Sequence, residues 1–239
     1  IEEYLEGEEM SFFIISDGYT YKKFGTAQDH KRVGEGDKGK NTGGMGAYSP
    51  SRLDCSDLDF KIEKKIIAPT LQALKDLKTN FKGFLYAGLM IINEEPFLIE
   101  YNVRMGDPEC QTILPKLKTD FGKIINSCVN ENLKEISLEW YDDKSLCIVL
   151  CSKGYPDDYK KNVEIHNLDK LTLKEKEYIF HAGTSEKNNK IYSNAGRVLN
   201  IIIRSKNFKN CRTRAIELIN EIDWQNGFYR KDIGYKVVD

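Results

Sequence analysis

"LIEYNVRMGDPE", Leu98 to Glu109, sets Glu100, Asn102 and Arg104 at alternate positions of a short apolar segment and then turns at Gly106-Asp107-Pro108. Residues two apart on a strand share a face, so the three polar side chains point toward one small volume. A carboxylate beside an amide oxygen is donor chemistry for a hard cation of the magnesium type. A guanidinium next to them suits phosphate or carboxylate. The same alternation also describes a plain solvent-facing strand side. What the three residues do therefore depends on the elements around them.

Working upstream, "GFLYAGLMIIN" (83–93) and "PFLIEYNVR" (96–104) read as antiparallel strands joined at Asn93-Glu94-Glu95. Residues 56–80 read as a helix, with Leu58, Ile62, Ile66, Ile67, Leu71, Leu74 and Leu77 at helical spacing. Ser56 or Asp57 can cap its start, and Pro69 should kink or split it. "EEMSFFIISDGYTYKKFGTA" (8–27) reads as a hairpin turning at Asp17-Gly18. From Gln28 to Ser49 the periodic pattern stops, and Gly34, Gly36, Gly39, Gly43, Gly44 and Gly46 crowd together just after Gly25. A loop of that length in a compact domain is functional or disordered.

Downstream, "CQTILPKL" (110–117) and "DFGKIINSCVNENL" (120–133) read as helices, the second capped by Asp120. Composition shifts near "KEISLEWYDDKS", and short strands follow at regular spacing: "SLCIVLCS", "YIFHAG", "KIYS" and "RVLNIIIRS". One amphipathic helix, "NFKNCRTRAIELINEI", comes after them. We expect an α+β chain with a boundary near Leu138, residues 1–137 forming one domain and 138–239 a small β-rich α+β domain.

Lys and Arg number 36 against 37 Asp and Glu, for a net charge of −1. That balance argues against a general nucleic-acid or membrane footprint while leaving room for a local basic pocket. The longest apolar runs are too short to span a bilayer. The opening "IEEYLEGEE" has no charged leader or apolar signal core, lacks Met, and starts inside a strand-like segment, so the chain is expected to be part of a longer polypeptide. Six cysteines show no CxxC pair. Cys147 and Cys151, four apart on a strand, would share a buried face, as structural thiols in a reducing compartment. His166 and His181 have no acidic partner expected nearby and read as structural residues.

Taken in order, "QDHKRVGEGDKGKNTGGMGAYSP", "GFLYAGLM", "LIEYNVRMGDPE" and "FYRKDIGY" resemble the glycinamide ribonucleotide synthetase (phosphoribosylamine–glycine ligase) family of ATP-grasp enzymes. The resemblance runs along essentially the whole chain and corresponds to the C-terminal portion of such an enzyme. It implies the C-terminal part of an ATP-grasp fold, an antiparallel sheet with packed helices, followed by the β-rich domain. It also implies an ATP-dependent ligase of purine biosynthesis that joins glycine to 5-phosphoribosylamine with Mg2+ or Mn2+. The implied setting is cytoplasmic, without nucleic acid or membrane as partner, and a monomer is favoured.

Carried residue by residue, the resemblance makes Glu100 and Asn102 the metal ligands. Many ATP-grasp relatives add an acid from the preceding strand, whereas "GFLYAGLMII" has none, so Glu100 would have to serve alone or bridge two ions. Arg104 is expected to face an acyl phosphate or transferred phosphoryl group. Asp107 either receives a substrate amine or caps the helix beginning near Glu109. In the glycine-rich loop, Asn41, Thr42, Gly43, Gly44 and Gly46 are expected to bring unobstructed backbone N–H groups to a substrate oxyanion. Lys31 or Arg32 would meet the ribose phosphate and Asp29 the amine, on a loop that is mobile until substrate binds. "IEEYLEGEE" resembles the hinge between ATP-grasp subdomains, with backbone at Glu3 to Leu5 against adenine and Glu9 accepting from ribose hydroxyls.

Overall fold

The computed structural model describes residues 3–238, so the expectation attached to Ile1 lies outside the described residues. The strands in chain order begin with β1 (Glu8–Asp17), β2 (Tyr21–Asp29), β3 (Arg32–Gly34), β4 (Lys38–Asn41), β5 (Gly46–Ser49), β6 (Lys82–Ile92) and β7 (Glu95–Asn102). They continue with β8 (Lys144–Ser152), β9 (Val163–Ile165), β10 (Glu177–His181), β11 (Thr184–Lys187), β12 (Lys190–Ser193), β13 (Arg197–Ser205) and β14 (Gly227–Phe228). The α-helices are α1 (Ser56–Ile62), α2 (Ala68–Asp76), α3 (Glu109–Ile113), α4 (Phe121–Val129) and α5 (Phe208–Glu221).

The chain forms two compact units, and neither is continuous in sequence. The first takes in the chain through Gln28, Pro50–Gly106 and Leu117–Tyr141; the second takes in Asp29–Ser49, Asp107–Lys116 and Asp142–Asp239. The compact units thus interleave along the chain, with residues 29–49 and 107–116 packed in the second. β5 pairs with β8, which binds the glycine-rich segment to the C-terminal strands.

In the first unit the strands run β2-β1-β6-β7, every pair antiparallel. Alternation decides which side chains are inside. Met10, Phe12 and Ile14 of β1 join Leu85, Ala87, Leu89 and Ile91 of β6 on one face, packed against Leu58, Ile62, Ile66 and Ile67. Burial of each of these side chains other than Ala87 contributes about 1.5–3 kcal/mol. The expected helix is present but ends at Asp76, short of residue 80, and Pro69 interrupts it as anticipated. A π-helical turn, Glu63–Ile67, separates α1 from α2. Pro69 has no N–H to give to the preceding turn, so the ladder is rearranged just upstream of it. The β6–β7 turn falls on Asn93 and Glu94, both at positive φ (50° and 63°), as a tight hairpin requires. Asp120 caps α4 by accepting from the Lys123 N–H at 2.8 Å.

In the second unit the main strands run β10-β13-β8-β5, with β14 also on β8. A three-stranded sheet β11-β12-β9 and the β3–β4 ribbon complete it. α5 packs Cys211, Ala215 and Leu218 into the core with Ile148, Ile201 and Ile202. Cys147 and Cys151 are both fully buried, and burial pushes the Cys151 thiol up to about 12, which makes it a poor nucleophile. His166 does have an acidic neighbour, contrary to expectation: its Nδ1 lies 3.3 Å from Glu164 on β9. His181 contacts the Thr184 hydroxyl at 2.9 Å. Among the described residues no helix is long and apolar enough to cross a membrane.

Candidate functional site

The face of the first unit's sheet that lies away from α1 and α2 carries the polar row expected from the sequence. Tyr101 points to the helices, its hydroxyl donating to the Ile66 carbonyl at 3.2 Å, so Glu100 and Asn102 must point the other way. Asn102 donates from Nδ2 to Glu100 Oε1 at 3.1 Å, and Arg104 Nη2 donates to Asn102 Oδ1 at 3.4 Å. Arg104 Nη1 also holds the Met105 carbonyl at 3.0 Å. The three side chains are thus linked along one face.

Register explains why the neighbouring strand offers no second acid. Ser11, Gly88 and Glu100 lie directly opposite one another across β1, β6 and β7. A Cβ on Gly88 would sit 3.2 Å from Glu100 Cγ, so this glycine leaves the space into which Glu100 packs. Next to it the Ser11 hydroxyl donates to Tyr86 Oη at 2.9 Å, and Tyr86 lies against Phe13 with ring centroids 4.6 Å apart. Among the described residues no three His, Cys, Asp or Glu side chains gather as a metal cage. One carboxylate and one amide oxygen still fit a divalent cation of the magnesium kind. Such an ion keeps several waters and takes its other ligands from substrate phosphates. Glu9 shares this face, two residues before Ser11, and is exposed; Glu3 is exposed and Leu5 half-buried.

The second unit overturns the picture of a patternless segment at 28–49. That segment holds β3, β4 and β5, and Gly44 through Ser49 are buried. Its backbone donors are already used. Thr42 N–H donates to the Lys31 carbonyl at 2.8 Å, Gly43 N–H to Tyr155 Oη at 2.8 Å, and Gly44 N–H to Thr42 Oγ1 at 3.0 Å. The Met45 N–H donates to the His30 carbonyl at 2.9 Å. The expected row of unobstructed N–H groups at Gly43 and Gly44 is therefore absent, because the segment hydrogen-bonds to itself and its neighbours. The glycines serve packing instead. A Cβ at Gly44 (φ 111°) would meet Pro108 Cδ at 2.5 Å and Asp29 Oδ1 at 2.7 Å, and one at Gly46 would meet the Cys147 carbonyl at 2.6 Å.

A buried charge network holds the segment down. Arg230 is 1% exposed; it donates from Nε and Nη2 to both oxygens of Asp232 (2.8 and 2.7 Å) and from Nη1 to Asp37 at 2.7 Å. Nη1 also reaches the Arg32 carbonyl at 3.0 Å. His30 is buried. Its Nε2 accepts from the Gly234 N–H at 3.0 Å, which leaves the proton on Nδ1, 3.2 Å from Asp37 Oδ1. Tyr235 donates its hydroxyl to Asp37 Oδ2 at 3.0 Å. The His30 hydrogen bond, with Arg230 adding to it, outweighs burial and holds the Asp37 carboxyl well below the usual carboxylate range. Arg32 remains exposed, giving one donor to the Gly39 carbonyl at 2.9 Å, and Lys31 is half-buried.

Asp107 is not a helix cap. Pro108 occupies the N-cap position of α3 without a side-chain bond, and Asp107 faces elsewhere. Its Oδ1 accepts from Gln111 Nε2 at 2.7 Å and its Oδ2 from Arg197 Nη2 at 2.8 Å. Arg197 Nη1 donates to the carbonyls of Gly43 and Asp107 at 2.5 and 2.7 Å. Sequence reading missed Arg197 and Arg230, although "FYRKDIGY" had been singled out as a motif. The signal was there for Arg230 in its Arg-x-Asp spacing, whereas Arg197 looks like any charged residue opening a strand.

The chain is similar to known proteins along its length. Residues 1–110 match the family model "Phosphoribosylglycinamide synthetase, ATP-grasp (A) domain", and residues 145–236 match "Phosphoribosylglycinamide synthetase, C domain". A phosphoribosylamine–glycine ligase of Brucella melitensis is 45% identical over 239 residues, which is 100% of this chain and 56% of that protein. The crystal structure of the phosphoribosylamine–glycine ligase of Thermotoga maritima superposes with a TM-score of 0.86 at 34% identity, covering 97% of this chain and 57% of that one. A phosphoribosylglycinamide synthetase from Anaerococcus prevotii, at 17% identity and a TM-score of 0.65, shares the fold over 92% of this chain and 54% of that one. The chain spans about half the length of the curated relatives it matches.

Proposed function

The chain belongs to the phosphoribosylglycinamide synthetase family, and we propose that, within a polypeptide of its relatives' length, it joins glycine to 5-phosphoribosylamine at the expense of ATP. ATP phosphorylates the glycine carboxylate, giving glycyl phosphate and ADP. The amine of phosphoribosylamine then attacks the carbonyl carbon, the phosphate leaves, and an amide bond forms, as glycinamide ribonucleotide. No covalent enzyme nucleophile is required, so the protein's contribution is positioning and charge stabilisation.

Glu100 and Asn102 would hold a divalent metal, Mg2+ or Mn2+, through hard oxygen donors. When bound, such a metal would supply charge neutralisation to phosphate oxygens. Arg104, linked to Asn102, presents a permanent charge to the acyl phosphate oxygens. Backbone at Glu3 to Leu5 meets adenine, and Glu9 accepts from the ribose hydroxyls. Lys31 or Arg32 meets the ribose phosphate, Asp29 the amine of phosphoribosylamine, and Asp107 the glycine amine. Asn41, Thr42, Gly43, Gly44 and Gly46 contribute the shape of the substrate wall. Residues 1–137 serve as the C-terminal portion of the ATP-grasp domain and 138–239 as the ligase's C-terminal domain. The enzyme acts in the cytoplasm as a monomer on small molecules, without nucleic acid or membrane, and residues 1–239 alone are inactive.

One observation carries the reading: Glu100 and Asn102 are hydrogen-bonded on one sheet face, and Arg104, in the bend just after β7, reaches Asn102. The test is Glu100→Gln in the full-length polypeptide, measured as glycine-dependent ADP release across a magnesium titration. Loss of turnover that excess magnesium does not restore is expected. Near-normal turnover at saturating magnesium would refute the assignment. A panel of other carboxylates and amines separates this ligase from another ATP-grasp ligase.

A further inference from the structure

The second unit ties Asp107 to an arginine from a distant strand. Arg197 opens β13, and its guanidinium addresses three acceptors at once: the Asp107 carboxylate, the Asp107 carbonyl and the Gly43 carbonyl. Gly43 is gripped from its other side as well, where its N–H donates to Tyr155 Oη at 2.8 Å. A Cβ on Gly43 would fall 3.0 Å from the Arg197 Cζ, so the guanidinium lies flat against glycine backbone. The Arg197 side chain is 22% exposed and that of Asp107 51% exposed. The carboxylate therefore faces solvent while the arginine stands behind it.

We propose that Arg197 is a positioning residue for glycine, acting through Asp107: it aims the Asp107 carboxylate at the α-ammonium of glycine and locks the Gly43 segment to the Asp107 turn. This rests on the reading of Asp107 in the preceding section. Nη1 is spent on two carbonyls and Nη2 on the carboxylate, so both terminal nitrogens reach protein acceptors. Asp107 Oδ1 is held by Gln111 and Oδ2 by Arg197, which fixes the carboxylate plane. Each oxygen keeps a lone pair for an incoming ammonium. A lysine could not replace the planar fork, because one ammonium cannot span a carboxylate and two carbonyls with the same geometry.

The test uses the full-length polypeptide with Arg197→Met, Arg197→Lys, Asp107→Asn and the double variant Arg197→Met/Asp107→Asn. KM for glycine, KM for ATP and kcat are measured by ADP release, with thermal melting alongside. Each single variant is expected to raise the glycine KM about tenfold or more while the ATP KM stays within about twofold, and the double variant should be no worse than the poorer of Arg197→Met and Asp107→Asn. Additive penalties, or glycine and ATP KM rising together, would overturn the proposal. Should Arg197→Met fail to fold, Arg197→Lys carries the test, and an unchanged glycine KM in it would be equally fatal. A wild-type enzyme without glycine-dependent ADP release would instead defeat the functional reading itself, whatever the variants do.

Discussion

Arg230→Met removes the centre of the buried network while keeping most of the side chain's volume. The wild-type guanidinium satisfies Asp232 with two bonds, Asp37 with one and the Arg32 carbonyl with another, at 2.7 to 3.0 Å. Breaking a buried ion pair from one side costs about 3–5 kcal/mol, because the partner charges stay behind. Here Asp37 keeps His30 and Tyr235, and Asp232 keeps the Gly36 N–H at 2.8 Å. The Asp37 and Asp232 side chains are also 32% and 20% exposed, so water reaches them. The low end, about 3 kcal/mol, is therefore expected. The loss should be local, since the network joins residues 30–37 to 230–235. Hydrogen exchange reads it at two amides: Gly36, bonded to Asp232, and Gly234, bonded to His30 Nε2 at 3.0 Å. A cost of 3 kcal/mol corresponds to roughly a hundredfold loss of protection there. Unchanged protection at both amides would refute the reasoning, as would a loss spread equally over β1 and β6.

Other outcomes follow from the same structure. Gly44→Val should destabilise the second unit by about 2–5 kcal/mol, seen as a lower melting temperature, because a side chain there combines positive φ with overpacking against Pro108. An exposed, mobile loop would have predicted lost activity with little change in melting. Asn102→Ala should lower turnover less than Glu100→Gln, since it removes a neutral oxygen rather than an anionic one, and a magnesium titration of both variants checks the order. Asp120→Ala should cost about 1 kcal/mol of stability through the lost α4 cap, measured by denaturation. The pH dependence has a definite sign. Asp37's folded pKa lies below its unfolded value of about 3.9, so its stabilisation is complete above that pH and is lost as pH falls through the folded pKa. Acid titration followed by exchange at Gly36 should show the loosening only below about pH 4, and the acid-dependent loss should be smaller in Arg230→Met, where Asp37 is less depressed.

The parts that were legible in the sequence depend on neighbours along the chain. The alternation of Glu100 and Asn102 placed them on one face because a strand's period is two, whatever packs around it, while Arg104, past the end of β7, joins them through its contact with Asn102. The turns at Asp17-Gly18 and Asn93-Glu94 and the Asp120 cap follow from backbone groups a few residues away. The four motifs in order pointed to the family on the same local footing. What only the tertiary structure decided involves partners far apart in sequence. Gly43 and Gly44 look free in "NTGGMG", yet Tyr155, Arg197 and Pro108 fill the space beside them. His30 stands among charged residues in "QDHKR", yet it is buried, with Gly234 and Asp37 as its hydrogen-bond partners. Arg197 and Arg230 carry no local pattern that announces Asp107 or Asp37, because a long side chain's partner is set by which strands pair. That pairing is fixed by the burial of the whole core and not by any one stretch of chain.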